Sequence, residues 1–320
     1  MKGLGRTETE ILKTLIEYGP VTLAELARLV RKSRSWTWKK VKKLELLGLV
    51  SLERKGGIVI ARHTPETYKG LLRLGILRAS EYPYIMGFAK LLRNRYANVE
   101  ILVYDEAFKL ALDLVSGRVH LAMAPAVSLL IAHRFSAGQV LIVGGGSKGG
   151  AGFAYSGSGT DSHATTMAST MEFCAELHNL KGKRVYKKSG EEILDSVINN
   201  EVEVGVLWEP YLELARRKGL ETEPCDTPFC CLLGINKSLE EESGFLARSL
   251  SHAISEARTG RVDLQAYSNL VGLPYELVKS TVGTYEFLEE APVDEIDDLK
   301  EVLRRTILPD SIGEHAIRRL

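Results

Sequence analysis

Apolar residues recur along the chain with two different periods, and the change between them divides it. Over the first sixty residues the spacing is helical: Ile11, Leu12, Leu15 and Ile16, then Leu26, Leu29 and Val30, then Thr37, Val41 and Leu44 with Leu47 at the edge of that face. Each run opens on a hydroxyl that can accept from a first-turn amide. Thr7-Glu-Thr-Glu10 and Thr22-Leu-Ala-Glu25 are capping boxes, Ser33 is an N-cap, and Gly48 supplies a left-handed stop. The next stretch, "LVSLERKGGIVIAR", alternates on both sides of Lys55-Gly56-Gly57 and predicts a β-hairpin.

After His63-Thr-Pro65 the pattern becomes a strand–helix alternation. "LLRLGILRA", "VEILVY", "VHLAMA" and "QVLIVGG" read as strands, with "PYIMGFAKLLRNRY", "EAFKLALDLVSGR" and "VSLLIAHRF" as helices between them. Such alternation predicts a mainly parallel sheet with helices on both faces. A glycine-dense stretch from 144 to 159 then interrupts. It lacks the Gly-Lys-Ser/Thr of a phosphate loop and the dinucleotide Gly-x-Gly-x-x-Gly, so it predicts a crossover between lobes with an extended strand near 151–155. A second unit follows, with "HATTMASTMEFCAELH", "GEEILDSVINN" and "PYLELARRKG" helical and "KRVYK", "VEVGVLW" and "FCCLLGINK" extended. "FLARSLSHAISEA" and most of the remainder are helical.

Charge sharpens the division. Residues 1–70 hold fifteen Lys plus Arg against seven Asp plus Glu, a net of +8, and the rest of the chain carries −7. A positive head on a negative body suits a nucleic-acid-binding module joined to something else. The segment "SRSWTWKKVKKLELLGLV" concentrates Arg34, Lys39, Lys40, Lys42 and Lys43 with Trp36 and Trp38. No 18-residue apolar run is present, which predicts no membrane span. "MKGLGRTETE" lacks an apolar signal core, which predicts a cytoplasmic protein. Cys174, Cys225, Cys230 and Cys231 show no metal-ligand spacing, and the adjacent pair in "FCCLLGI" is expected to pack as small hydrophobes in a reducing cytoplasm; no metal and no cofactor is expected.

Two resemblances follow from these residues. "TLAELARLV", the basic third helix and the hairpin together resemble the winged helix domains of prokaryotic transcription regulators, over roughly residues 6–64. That resemblance implies that Arg34, Ser35, Trp36, Trp38, Lys39 and Lys42, with Lys43 beside them, face double-stranded DNA, and that Arg54 and Lys55 form the wing tip. Trp at 36 and 38 departs from the small polar residues common there. Further on, "NNEVEVGVLWEPYLELARRKG", "CCLLGINKSLEEESGFLARSLSHAISEA" and "SGRVHLAMAPAVS" resemble the periplasmic-type binding domains for sulfonates, nitrate and thiamine precursors, over roughly residues 70–310. "GRVHLA" stands where that family has a Gly-x-x-Asp turn, so its first lobe matches more loosely.

The expected fold class is therefore α/β: an N-terminal winged helix-turn-helix (1–66) followed by a two-lobed periplasmic-binding-protein-like domain (67–320). Lobe 1 would span about 67–150 plus the returning C-terminal segments, and lobe 2 about 151–230. The second resemblance implies a ligand between the lobes. Mapped on that plan, the rim comprises Arg78, Ser80 and Tyr82 after the first strand, Tyr104 and Asp105 after the second, and Ala124 to Val127 after the third. Thr160, Ser162 and His163 stand at a predicted helix N-terminus, Ser189 follows a strand, and Trp208 and Glu209 end the closing strand. Each has a structural alternative: a salt bridge for Arg78, caps for Asp105 and Ser189, a packing anchor for Trp208.

Together these features predict a ligand-responsive transcription regulator that binds double-stranded DNA and a small-molecule effector. It would be a homodimer, because one recognition helix covers half a two-fold site, with 293–320 as a candidate interface. Two alternatives stand beside it: an enzyme of the thiamine-precursor synthase type, disfavoured because no nucleophile–base pair is evident, and a cytoplasmic solute-binding protein.

Overall fold

The computed structural model describes residues 5–46, 49–55, 57–63, 70–226, 229–293 and 296, with only the backbone of Arg6, Leu46 and Lys55. Of the positions singled out above, Leu47, Gly48, Gly56, Thr64, Pro65, the 66/67 boundary and nearly all of 293–320 lie outside the described residues.

The N-terminal unit runs α1 (Arg6–Tyr18), β1 (Val21–Thr22), α2 (Leu23–Leu29), α3 (Arg34–Leu46), β2 (Val50–Lys55) and β3 (Ile58–His63). Its small antiparallel sheet has the order β1-β3-β2. The helical stripes meet in one core of Ile11, Leu15, Leu26, Val41 and Leu44. Two caps form as their sequence demands: Thr22 Oγ1 accepts from Glu25 N at 3.2 Å and Ser33 Oγ from Trp36 N at 3.2 Å. The first does not. Helix α1 starts one residue ahead of Thr7 with Gly5 as its cap, and Glu8 turns inward, 3 % exposed.

The larger part begins with β4 (Leu71–Leu77), α4 (Ile85–Leu92), β5 (Asn98–Tyr104), α5 (Ala107–Val115), β6 (Leu121–Pro125), α6 (Ala126–Phe135) and β7 (Val140–Gly149). The chain then crosses into β8 (Ala151–Tyr155), β9 (Ser162–Thr165), α7 (Thr170–Leu177), β10 (Lys183–Tyr186), α8 (Gly190–Ile198), β11 (Val204–Trp208), α9 (Tyr211–Arg217) and β12 (Glu221–Pro224). It returns through β13 (Cys231–Asn236), α10 (Ser243–Arg258), α11 (Leu264–Val271), α12 (Tyr275–Thr281) and β14 (Tyr285–Leu288). One sheet has the order β14-β7-β13-β6-β4-β5 and the other β10-β9-β11-β8-β12.

Both sheets are mixed, where the alternation predicted mainly parallel ones. The returning β13 is inserted antiparallel between β6 and β7, and β8 runs antiparallel to β11 and β12. Two chain crossings between the sheets impose these reversals. A second difference concerns "HATTMASTMEFCAELH". Its first residues form β9, and the helix starts only after Ser169, whose hydroxyl accepts from Met171 N and Glu172 N. Ser169-Thr-Met-Glu172 is the capping box that marks this start.

The cysteines divide into two kinds. Cys174 and Cys225 form a disulfide that ties α7 to the segment after β12, against the expectation of a reducing environment, while the adjacent pair Cys230 and Cys231 is free and buried. No helix among the described residues is long and apolar enough to cross a membrane.

Two buried histidines set an acid limit. Burial lowers His63 to a pKa of about 4 and His120 to about 3, and His120 Nδ1 accepts from Arg73 N at 2.9 Å. A group depressed in the folded state contributes stability above its unfolded pKa and loses it as pH falls through the folded one. Urea midpoints are therefore expected to hold above pH 7 and fall steadily from about pH 6.5 downward. A midpoint unchanged between pH 7 and 4 would contradict this.

Candidate functional site

The two sheets face each other across a cleft that is open at its mouth. Leu77, Ala79, Glu81, Asp105, Ala107, Pro125 and Cys230 line it from the first lobe, and Thr166, Ser169, Thr170, Met171 and Trp208 from the second. Strand ends explain the address: β4, β5, β6 and β11 all deliver their C-terminal residues here. Helices α5 and α7 begin at lining residues and α6 begins just after Pro125, so their positive dipole ends lie at the cleft; the amides of Ala126, Met171 and Glu172 are already paired, with Cys230 O and Ser169 Oγ.

Hydrogen bonds already span the lobes. Trp208 Nε1 donates to Arg78 O at 3.0 Å, Ser128 Oγ to Ala168 O, and Cys230 Sγ to Thr170 Oγ1 at 3.4 Å. The indole of Trp208 is held edge-on by Tyr211, with ring centroids 5.2 Å apart. On the cleft floor, Glu81 accepts from Ser147 Oγ and from Cys231 N at 3.2 Å. Desolvation raises the pKa of this wholly buried carboxyl, which favours its neutral form. The loop carrying it is pinned by Tyr267, whose hydroxyl donates to Ala79 O at 2.6 Å and accepts from Tyr82 N at 3.0 Å. Replacing Tyr267 with Phe leaves both buried groups unpaired. The expected loss is about 1–3 kcal/mol, measured by urea denaturation; an unchanged midpoint would remove this role.

Of the rim residues expected from the sequence, Asp105, Pro125 and Trp208 line the cleft, and the other polar candidates do not. Arg78 is committed elsewhere: Nε donates to Asp105 at 2.7 Å and Nη1 to Val271 O at 2.6 Å. Ser80 bonds Thr281, Tyr82 donates to Cys231 Sγ at 3.0 Å, and Tyr104 donates to Asp113 at 2.9 Å. Thr160, Ser162 and His163 sit at the start of β9, at its opposite end from the lining Thr166. There Thr160 joins a hydroxyl cluster with Ser158 and Ser162, and His163 meets Lys181 O and Arg184. The misread helix caused that displacement. Ser189 caps α8 through Glu192 N, and Glu209 is buried against Arg216. The lining residues missed, Glu81, Thr166, Ser169, Thr170 and Cys230, carry one legible signal, the capping box at Ser169.

The basic helix is partly neutralised within its own unit. Lys40 and Lys43 reach Glu8 Oε1 at 2.9 and 3.1 Å, and Lys40 first, with Lys43, holds the Glu8 pKa down near about 2. Lys42 pairs with Glu45 and lies 5.4 Å from the Trp38 ring centroid. Trp36 packs partly on the core, with Lys32 and Lys40 each 5.8 Å from its ring. Arg34, Ser35, Lys39 and Arg54 are exposed, and only the backbone of Lys55 is described.

No family profile and no curated relative matches the sequence. Solved structures do match in fold. The alkanesulfonate-binding protein of Xanthomonas axonopodis pv. citri, bound to MOPS, superposes with a TM-score of 0.62 at 15% identity, over 78% of this chain and 99% of that one. The periplasmic aliphatic sulphonate-binding protein of Escherichia coli gives 0.58 at 14% identity, over 75% and 94%. The periplasmic nitrate-binding protein of Synechocystis PCC 6803 gives 0.57 at 15% identity, over 75% and 83%. The chain therefore contains an α/β, periplasmic-binding-protein-like fold.

These neighbours overturn three expectations. They are solute-binding proteins, so the regulator reading, with double-stranded DNA as partner, gives way to the solute-binding alternative. The homodimer argument rested on a two-fold DNA site and falls with it. The neighbours whose locations are named are periplasmic, against the cytoplasmic expectation. The Cys174–Cys225 disulfide points the same way, since such bonds persist mainly in oxidising compartments.

Proposed function

We propose that this protein binds a small solute between its two lobes and releases it unchanged, in a setting outside the cytoplasm. The observation that carries the reading is the cleft itself, lined by both lobes and crossed by the Trp208–Arg78 hydrogen bond. The Thr170 hydroxyl, which accepts from Cys230 Sγ and keeps its own proton, offers a donor to a polar head, and three helix N-termini add a positive dipole; the Thr166 and Ser169 hydroxyls bond each other at 2.7 Å. Trp208, Met171, Leu77 and Ala79 offer a surface for a short apolar body. Asp105 is neutralised by Arg78, and Glu81 is held toward its neutral form, so neither excludes an anionic group.

In this reading Trp208, Thr166, Ser169 and Thr170 contact the solute, while Arg78, Ser80, Tyr82 and Glu209 position the surrounding loops. Lobe 1 comprises about 67–150 plus the returning segments, and lobe 2 about 151–230. The N-terminal unit is a separate module of the winged helix type, ending near 66; the element order and the single core of residues 11–61 support that assignment.

Alkanesulfonates, MOPS and nitrate, bound by the structural neighbours, are the first probes for a thermal-shift panel, with small zwitterions beside them. A solute that raises the melting temperature of the wild type is expected to bind Trp208→Ala about 10- to 100-fold more weakly, from the loss of an aromatic wall worth roughly 1.4–2.7 kcal/mol. Equal affinity for both proteins would place the solute elsewhere.

A further inference from the structure

Three metal-ligating side chains meet on the cleft floor: Glu81, from the loop after β4, and Cys230 and Cys231, at the start of β13. Their donor atoms all lie within 4.8 Å of one another and all three residues are buried. The two Sγ atoms stand 3.7 Å apart and are not bonded to each other. A tetrahedral zinc ion with Zn–S bonds of about 2.3 Å requires an S···S edge of about 3.8 Å. The thiols are thus already at chelating separation, and a small rotation of the Glu81 carboxylate completes a third ligand.

The surroundings favour a cation. Tyr82 Oη donates to Cys231 Sγ at 3.0 Å, Cys231 N to Glu81 Oε1 at 3.2 Å, and Ser147 Oγ to the same oxygen. Outer hydrogen bonds of this kind orient ligands and tune their basicity. Among the described residues no Lys, Arg or His pairs with Glu81, so three potential anions share one buried point without a counter-charge. Glu81 and Cys230 also line the cleft, which leaves a fourth tetrahedral position facing it.

We propose that Glu81, Cys230 and Cys231 bind one thiophilic divalent cation of the Zn²⁺ class, with its fourth position open to the cleft. Two thiolates and a carboxylate suit Zn²⁺ better than Mg²⁺ or Ca²⁺, which take oxygen ligands. Binding displaces the protons of both thiols and of Glu81 into solvent, so uptake strengthens as pH rises. The site stands apart from the solute reading, because it is tested with metal alone.

The test titrates the metal-stripped full chain, its disulfide intact, with Zn²⁺ against a chromophoric chelator, and separately with Co²⁺. The expected results are one Zn²⁺ per chain, a sulfur-to-cobalt charge-transfer band with tetrahedral visible bands, and affinity reduced about 100-fold or more in Cys230→Ser or Cys231→Ser. Tyr82→Phe is expected to weaken binding by about tenfold as a positioning effect. The cobalt spectrum needs no substitution, so a variant that fails to fold leaves the test intact. A wild type that takes up no Zn²⁺, a cobalt complex without the sulfur band, or folded cysteine variants that bind as tightly as wild type would each overturn the proposal. Solute binding by the metal-stripped protein is unaffected by any of these outcomes.

Discussion

Gly146→Ala is expected to destabilise the protein by about 3 kcal/mol or more, at the upper end of overpacking effects. Residue 146 lies in β7 between β13 and β14, paired with Leu232 on one side and Leu288 on the other. A Cβ there would stand 1.9 Å from Cys231 O, a backbone atom that cannot swing aside. At Gly145 it would stand 1.9 Å from Leu288 O. This is why residues 145 and 146 are glycine: neighbouring backbones close on the strand at its bulged register with β13, and no side chain fits. The damage would reach the cleft directly, because Cys231 carries the amide that bonds Glu81. Gly87→Ala provides the contrast. Gly87 lies within α4, where its Cβ would meet Ala253 Cβ of α10 at 3.8 Å, an ordinary contact, and the substitution is expected to be neutral or stabilising by up to about 1 kcal/mol. Urea denaturation of the two variants separates the cases; equal midpoints would refute the close-approach explanation.

Opening the Cys174–Cys225 disulfide is expected to cost about 2–4 kcal/mol. The bond spans 51 positions and closes a loop containing most of the second lobe. Chain entropy alone assigns such a loop about 4 kcal/mol, the upper end of that range. The lobe gains from the link because its core is divided, with Phe153, Met171, Cys174 and Val206 on one face of the sheet and Ile193, Val197 and Leu207 on the other. Reduced and oxidised protein should therefore unfold at different urea concentrations, with the double Ala variant matching the reduced form. Alkylation of the unfolded, unreduced chain should label Cys230 and Cys231 alone. Labelling of all four cysteines would contradict the pairing.

The sequence exposed those elements whose pattern is local. Val41 and Leu44 in α3, Leu74 and Ile76 in β4, and the strand at Ala151–Tyr155 declare themselves by spacing, and Thr22 and Ser33 by capping chemistry. Local pattern failed at Thr165 and Thr166. There β-branched residues continue a strand until Ser169 caps α7, yet alanines on both sides imitate a helical run. The cleft was harder to read because its walls come together only through the fold. Glu81 sits in an aperiodic loop and meets Cys231 across 150 positions, while Cys174 and Cys225 are joined across 51. Arg78 illustrates the converse. A strand-end arginine is a reasonable anion ligand in a sequence, but here Asp105 and the Val271 carbonyl engage it. The basic helix followed the same rule: its charge count was visible, and the buried Glu8 that binds two of its lysines was not.

The central claim is that the inter-lobe cleft holds a solute. Its most direct test is isothermal titration of the wild type and Trp208→Ala with whichever panel member stabilises the protein most. The account predicts one solute bound per wild-type chain, and binding at least about tenfold weaker in the variant, which keeps its fold. A stabilising solute bound with equal affinity and stoichiometry by both proteins, or a full panel that stabilises neither, would contradict it.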